Sequence, residues 1–182
     1  MSRGIRRALL VLRPFALLVL VRPVMIAPRP ARADAAANLF ASPTGSGSAC
    51  SQAAPCTLTK ALGLTVNGDS VYLKAGTYTA SGGAVISVTR AISVLCGWDG
   101  SATGPVARDP AHQRTVLDGE NARRGLVIAA PGWVTVDGCV IIRGSAASGP
   151  DAGRGGGIYS QTALPWFTNN TISTCVGYTS SA

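Results

Sequence analysis

Apolar positions divide the chain into two regions with different patterns. Residues 8–21 form one long, largely apolar run, whereas after Asp69 the apolar residues occur in runs of three to five separated by Gly, Asp or Asn. Short runs of this kind predict β-strands joined by tight turns. One helix is predicted, at Thr57–Val66, because Thr57 can act as an N-cap and the apolar residues after it share one face.

The short apolar runs repeat at an offset of 32 residues. The aligned segments are Gly125–Ile128 with Gly157–Ser160, Val134–Gly138 with Trp166–Asn170, and Cys139–Ile141 with Thr171–Ser173. A looser copy comprises Val85–Val88, Ile92–Val94 and Thr115–Leu117. Gly138 and Asn170 occupy equivalent positions in this alignment, where a sharp bend favours a left-handed residue.

Strands this short cannot bury a face unless neighbouring repeats stack on one another. Parallel stacking of equivalent strands would form one continuous core, so the repeat predicts an all-β solenoid and disfavours a β-sandwich. Residues 34–182 fit this expectation, with 12 Val, 7 Ile and 15 Thr against one Glu, two Lys and no Met. The side chains predicted to face inward are those of Ile86, Ile92, Val94, Val127, Val134, Val136, Val140 and Ile158.

The first 33 residues have the layout of a secretory signal peptide. A cationic start at residues 1–7 precedes the apolar run, and Ala31 and Ala33 provide the small residues that a signal peptidase requires, which makes Asp34 the expected new N-terminus. An uncleaved membrane anchor is the alternative, although the run is short for a membrane span and is interrupted by Arg13-Pro14.

The net charge of +8 belongs almost entirely to this leader. Residues 1–33 hold seven Arg and no acidic residue, whereas residues 34–182 hold nine basic and eight acidic residues. A nucleic-acid-binding surface needs its positive charge on the folded part, so nucleic acid is not an expected partner. The expected location is secreted, or at the cell surface or outer envelope, without a stable membrane span after cleavage.

All five cysteines follow the cleavage point, where an oxidising compartment is expected. Cys50 and Cys56 bracket a short loop that a disulfide can close, and this bridge is favoured over a metal site because the spacing is not CxxC and His112 is the only histidine. Three cysteines remain, Cys96, Cys139 and Cys175. Because their number is odd, at least one thiol is expected to be free or paired with another chain. The alternative is that all three are buried small apolar residues.

Several motifs together resemble the N-terminal part of a known protein family. The segments that carry the resemblance are Leu39–Gly45, Cys50–Cys56, Asn67–Asp69, Val71–Tyr78, Cys96–Asp99, Thr115–Gly119 and Gly155–Tyr159. They are similar to right-handed parallel β-helix proteins of the pectin-lyase-like class, including secreted and polymorphic-outer-membrane-protein-like repeat proteins. The resemblance implies a right-handed parallel β-helix of about three coils over residues 34–182, a short N-terminal capping helix at Thr57–Val66, and further coils beyond residue 182.

No residue set predicts a catalytic, cofactor or metal site. His112 is expected to be an exposed loop residue, and Gly153–Gly157 lacks the Lys-Ser/Thr pair and the helix of a phosphate-binding loop. Polysaccharide chemistry in this fold class uses converging acids, sometimes with a basic residue. The candidates for such a site are Asp99, Asp118, Glu120, Asp137 and Asp151, with Arg123, Arg124 and Arg143, and each repeat supplies only one acid.

The sequence therefore favours a structural or recognition role, adhesin-like or carbohydrate-binding. The long turns Gly97–Arg114 and Gly144–Gly157 are expected to carry recognition, with a polysaccharide or another cell-surface ligand as partner. Self-association through an uncapped last coil is a second expectation. The alternative function is the N-terminal part of a polysaccharide lyase or glycoside hydrolase. The aromatic residues Trp98, Trp133 and Trp166 suit sugar stacking if exposed, but packing between coils is the favoured interpretation.

Overall fold

The computed structural model describes residues 35–147, 151–161 and 164–177. One short helix and a series of short strands make up this part of the chain. In chain order they are β1 (Asn38–Ala41), α1 (Leu58–Leu64), β2 (Ser70–Lys74), β3 (Gly76–Tyr78), β4 (Ile86–Val88), β5 (Ser93–Trp98), β6 (Thr115–Asp118), β7 (Leu126–Ile128), β8 (Trp133–Asp137), β9 (Cys139–Ile142), β10 (Ile158–Ser160), β11 (Leu164–Thr168) and β12 (Thr171–Ser173).

The strands form three parallel sheets, and after β1 each sheet takes every third strand of the chain. Sheet 1 has the order β1-β2-β5-β8-β11, sheet 2 has β12-β9-β6-β3, and sheet 3 has β10-β7-β4. Every strand pairs in parallel with the equivalent strand of the neighbouring repeat. Strands as short as three residues are therefore stabilised by lateral pairing across repeats.

The expected fold class, an all-β right-handed parallel β-helix, is wrong. The strands lie in three separate sheets of five, four and three strands, and they do not close into a solenoid. Along the chain, helix α1 comes between β1 and β2, the first two strands of sheet 1. The connections are also uneven, since one residue separates β8 from β9 whereas a long segment separates β5 from β6. The arrangement looks like a small α/β-type fold of parallel sheets.

The repeat offset differs from the predicted 32 residues in the last two strands. Ile158 pairs with Leu126 at an offset of 32, but Pro165 pairs with Val134 at an offset of 31. The left-handed turn residues are accordingly Gly138, with φ 77°, and Asn169, with φ 53°, and not Asn170. Because side chains alternate between the two faces of a strand, this shift by one residue reverses the predicted orientation of β11.

The core lies between the inner faces of the sheets. Its fully buried side chains include Leu73, Ile86, Val94, Leu117, Leu126, Ile128, Val134, Val136 and Ile141. Six of the eight predicted inward side chains belong to the core or pack against it, whereas Val127 and Val140 do not. Val140 alternates with the inward residues Cys139 and Ile141 of β9. Val127 is the second exception. It is half-buried between Leu126 and Ile128, which have no exposed surface, because the three residues of β7 alternate in orientation.

A disulfide loop and the helix cover the early edge of the sheets. The backbone of Phe40 in β1 exchanges hydrogen bonds with Cys50 and Cys56, at 2.8 and 3.0 Å, so the free edge of β1 is paired. Helix α1 contacts β1, β2 and β4 and buries Leu58 and Ala61. The helix ends two residues before the predicted Val66, where Thr65 adopts an extended backbone and its hydroxyl donates to the carbonyl of Leu62 at 2.8 Å.

The N-cap of α1 provides a first test of the local structure. The hydroxyl oxygen of Thr57 accepts a hydrogen bond from the backbone N–H of Lys60 at 3.3 Å. We expect Thr57→Ala to lower the free energy of unfolding by about 1 kcal/mol, because this helical N–H loses its side-chain acceptor. Urea unfolding followed by circular dichroism measures the change. The matched control is Thr59→Ala, at an exposed position inside the helix, and an equal loss in both variants would contradict the capping role.

Candidate functional site

Two tryptophan side chains on the outer face of sheet 1 are exposed to solvent. Trp133, the first residue of β8, is 66% exposed and Trp166 in β11 is 61% exposed. In β8 the alternation of the strand buries Val134 and Val136 in the core and directs Trp133 and Thr135 outward. Exposed tryptophans are uncommon because each leaves a large apolar surface in water, so a pair on one face marks a candidate binding surface.

The strand register places the two tryptophans next to each other. Leu164 lies opposite Trp133, and Trp166 lies opposite Thr135. The two tryptophans are therefore diagonal neighbours on adjacent parallel strands, with Cα atoms about 8 Å apart by standard strand spacing. We call the surface formed by Trp133, Thr135, Leu164 and Trp166 the tryptophan face.

A cleft adjoins the tryptophan face on the side of β5. It has a volume of about 450 Å³. Its lining residues are Gly68, Ala91, Ile92, Ser93, Gly132, Trp133 and Thr135. The hydroxyls of Ser93 and Thr135 offer hydrogen-bond donors and acceptors beside the indole of Trp133. An apolar wall with a few polar groups suits a ligand that is apolar on one side and hydroxylated on the other.

Trp98 differs from the other two tryptophans. Its side chain is fully buried and packs edge-on against Phe40, with ring centroids 5.0 Å apart. Phe40 in turn stacks on Tyr72 at 5.1 Å. The favoured sequence interpretation, packing, is therefore right for Trp98 and wrong for Trp133 and Trp166.

A second depression lies between the β5–β6 connection and the β11–β12 turn. It has a volume of about 610 Å³. Its lining residues are Asp109, Pro110, Ala111, Arg114, Gly138, Val140, Asn169, Asn170 and Thr171. Several of the polar groups are already engaged within the protein, since the Asn170 side chain bridges Cys139 N–H and Val136 C=O at 2.8 Å each and the Asn169 amide donates to Asp137 at 2.8 Å. This depression is therefore a weaker candidate than the tryptophan face.

His112 lies in the β5–β6 connection and is exposed, as the sequence predicts. Its ring Nδ1 is 2.7 Å from Asp109 Oδ2, and the two side chains are 83% and 51% exposed. The hydrogen bond with His112 is the main cause that lowers the pKa of Asp109 below its ordinary value. A pair this exposed is solvated and carries no sign of a catalytic dyad.

The structure brings Asp118 and Asp137 to different partners. Asp118 forms a two-point ion pair with Arg143 and also accepts from the backbone N–H of Glu120 at 2.9 Å. Asp137 accepts from Arg108 at 2.6 Å and from Thr168 and Asn169. Two acids that share one substrate must converge, and each of these carboxylates is instead neutralised by its own arginine.

The pKa values of both acids follow from these contacts. Hydrogen bonding from Arg143 lowers the pKa of Asp118, against a smaller opposing effect of burial. For Asp137, burial is the largest single influence and raises the pKa, but the hydrogen bonds from Thr168, Arg108 and Asn169 together lower it below the ordinary value. Both groups are carboxylates at neutral pH, so neither has the raised pKa that a general acid requires.

The remaining charged candidates have local roles. Asp99 accepts from the N–H of Ser101, Glu120 pairs with Arg123, and Asp151 accepts from Gln161. Arg124 donates to carbonyl groups of the β9–β10 connection and lies 5.0 Å above the ring of Tyr159. Within residues 35–147, 151–161 and 164–177, no three His, Cys, Asp or Glu side chains form a group that could hold a metal ion.

Two disulfides fasten the protein. Cys50 and Cys56 are bonded, with Cα atoms 4.7 Å apart. A second bridge, which sequence reasoning missed, joins Cys96 in β5 to Cys139 in β9 with Cα atoms 5.1 Å apart, and so ties sheet 1 to sheet 2. Cys175 is a free, half-buried thiol.

Both disulfides are compatible with an extracellular protein. Among the described residues, no helix is long and apolar enough to cross a membrane. The predicted signal peptide and its cleavage position at Ala33 and Asp34 lie outside the described residues.

The chain matches no protein-family model, no curated protein and no solved structure. The resemblance to pectin-lyase-like proteins therefore stays a prediction from the motifs alone, and the site must be interpreted from its own chemistry.

Proposed function

We propose that the protein is an exported recognition module that binds carbohydrate at the tryptophan face. The observation that carries this proposal is the pair of exposed indoles, Trp133 and Trp166, on adjacent strands. The electron-rich face of an indole attracts the C–H groups on the apolar side of a sugar ring. The hydroxyls of Ser93 and Thr135 would then meet the hydroxyl groups at the edge of the ring.

The rigidity of the face supports a binding role. Trp133 and Trp166 stand on paired strands, so little conformational entropy is lost when a ligand stacks on them. The sequence placed recognition on the long turns, but the exposed aromatic residues lie on the sheet. The signal-like leader and the disulfides support a location outside the cytoplasm, either secreted or in the outer envelope, where polysaccharides are accessible.

The alternative, part of a polysaccharide lyase or glycoside hydrolase, has less support. Its strongest candidates, Asp118 and Asp137, are each held by a separate arginine. A carboxylate in such a pair contributes to stability and has little freedom to act as a base or nucleophile. Binding without turnover is the simpler use of this surface.

A polysaccharide-binding experiment tests the proposal. Purified protein is titrated with xylan, pectin, laminarin and chitin oligosaccharides while tryptophan fluorescence and calorimetric heat are recorded. We expect at least one polymer to bind, and Trp133→Ala and Trp166→Ala each to weaken its binding by about tenfold or more, because each removes a stacking surface.

Two controls separate the possible outcomes of this titration. Leu64→Ala removes an exposed apolar side chain from α1, far along the chain from the tryptophan face, and should bind as the unmodified protein does. Unchanged affinity in both tryptophan variants, or binding to none of the polymers, would refute the proposal. Release of shortened oligosaccharides that Asp118→Asn or Asp137→Asn abolishes would support the enzymatic alternative.

A further inference from the structure

A small pocket lies where three connections between strands meet, and it shares no residue with the tryptophan face. It has a volume of about 130 Å³. Its walls include Gly82–Ala84 from the β3–β4 connection, Arg123 and Arg124 from the β6–β7 connection, and Ser145 from the β9–β10 connection. The volume equals that of about four water molecules in the liquid, so one small ion can enter. We call this space the arginine pocket.

Backbone hydrogen bonds hold the three connections together around the arginine pocket. The carbonyl of Arg124 accepts from the N–H of Val85 at 2.9 Å, and the carbonyl of Arg123 accepts from the N–H of Ser145 at 2.9 Å. The segment that carries the two arginines is therefore fixed between the other two connections. Because the walls are already in place, a ligand would need to order little of the chain.

The arginine pocket contains hydrogen-bond donors without a partner among the described residues. The backbone N–H groups of Gly82–Ala84 donate to no described residue, and neither does the hydroxyl of Ser145, a residue that is only 4% exposed. The side chain of Arg123 is 17% exposed, and its Nε–H is buried without an acceptor. Folded proteins rarely leave a buried donor unpaired, so the walls of this pocket are short of acceptor atoms.

The charge around the arginine pocket is positive. Arg123 pairs with Glu120, and the neighbouring Arg143 pairs with Asp118. Arg124 donates to two backbone carbonyl groups and has no acidic partner among the described residues. Three arginines against two acids leave one positive charge uncompensated, and this charge attracts an anion.

We propose that the arginine pocket binds a tetrahedral oxyanion, a sulfate or phosphate group. Guanidinium groups match the paired oxygens of such anions. The unpaired donors come from three separate connections, so the ligand must present oxygens in several directions. A tetrahedral group does this, whereas the two oxygens of a carboxylate lie in one plane with their carbon. The same recognition applies to a free ion and to an ester on a polysaccharide, and it does not depend on the tryptophan face.

Calorimetric titration with sodium sulfate and with sodium phosphate tests the proposal. The full chain, isolated after export, is titrated in a buffer free of other oxyanions, and sodium chloride keeps the ionic strength constant so that screening does not change. We expect each ion to bind saturably. Sodium acetate, with a planar carboxylate, should bind at least about tenfold more weakly because it pairs with fewer of the donors.

Two variants of the pocket should each weaken sulfate binding about tenfold or more. Arg123→Gln removes a charged donor group. Gly83→Glu adds a carboxylate that repels the anion, at an exposed position where a Cβ atom meets no atom within 4 Å, so the fold should tolerate it. The matched controls are Arg90→Gln, at an exposed arginine outside the pocket, and Gly63→Glu, at an equally open position of α1. Both controls should bind sulfate as the unmodified protein does, and thermal unfolding of each variant checks its fold.

Several results would overturn the proposal. These are no saturable binding of either ion, acetate binding as tight as sulfate binding, and unchanged affinity in both pocket variants. An equal loss in the pocket variants and their controls would also overturn it, because overall charge would then explain the binding. Competition between sodium sulfate and dextran sulfate, with dextran as the neutral control, identifies the source of the group. Displacement by dextran sulfate alone supports an ester on a polymer, and no displacement supports the free ion.

Discussion

Replacing Cys96 and Cys139 together with alanine is expected to lower the free energy of unfolding by about 4 kcal/mol. The bridge closes a loop with a sequence separation of 43 residues. Opening this loop gives the unfolded chain much additional conformational freedom, which favours unfolding. Both cysteines are fully buried, so the lost packing around the sulfurs adds to the effect.

The Cys50–Cys56 pair provides the matched comparison. Its sequence separation is six residues, so the same reasoning predicts a loss of about 2 kcal/mol for the paired alanine variant. Both variants are built on Cys175→Ala to prevent exchange with the free thiol, and urea unfolding measures each. If the long bridge proves no more stabilising than the short one, the argument from loop length is wrong for this protein.

The contrast between the two disulfides shows what local sequence can predict. Cys50 and Cys56 are close in the chain, so their spacing alone suggests a bridge. Cys96 and Cys139 become neighbours only because β5 and β9, in different sheets, lie face to face across the core. That proximity depends on the whole fold, and no local pattern carries it.

The tryptophan face could not be predicted for a related reason. The sequence alignment pairs Trp166 with Val134, which is predicted to face inward. In the structure Trp166 lies level with Thr135, because the last repeat is one residue shorter between β10 and β11. One residue of register decides whether an indole is in the core or in solvent.

The fold itself was only partly accessible from the sequence. The repeated strand positions, the parallel pairing of equivalent strands and the helix near Leu58–Leu64 follow from hydrophobic periodicity and an N-cap. The closed solenoid does not exist, because closure depends on the connections as well as on the strands. Those connections range from the single Gly138 to the long segment between Trp98 and Thr115, and hydrophobic periodicity does not report their paths.

Arg108 is a structural residue that the sequence pattern does not single out. It lies in the β5–β6 connection and donates to the Cys96 carbonyl at 2.8 Å and to both the carbonyl and the carboxylate of Asp137. In the sequence, Asp137 is noticeable only as a candidate acid beside the predicted bend at Gly138. Asp137 also holds the β5–β6 connection against β8 through Arg108. The two residues are 29 positions apart in the sequence, so only the fold shows this contact.

Replacing Asp137 with asparagine is expected to lower the free energy of unfolding by about 2 to 3 kcal/mol at pH 7. The carboxylate is 15% exposed and its partner Arg108 is 20% exposed, so water compensates poorly for the lost charge. In Asp137→Asn an amide would replace the carboxylate oxygen that now accepts from Arg108, while Thr168 and Asn169 could keep an acceptor. Chemical denaturation at pH 7 measures the loss.

The same variant should change the dependence of stability on pH. The folded protein holds the pKa of Asp137 below its ordinary value, so the folded state favours the carboxylate more than the unfolded state does. Its stabilising contribution is therefore complete above the unfolded pKa of about 4 and is lost as the pH falls through the lower folded pKa. The difference in unfolding free energy between the unmodified protein and Asp137→Asn should be constant at neutral pH and shrink in acid.

Asp109→Asn is the control, because Asp109 also has a lowered pKa but an exposed partner, His112. This control should change stability little at any pH, and equal behaviour of the two variants would show that the burial of the Asp137–Arg108 pair adds nothing.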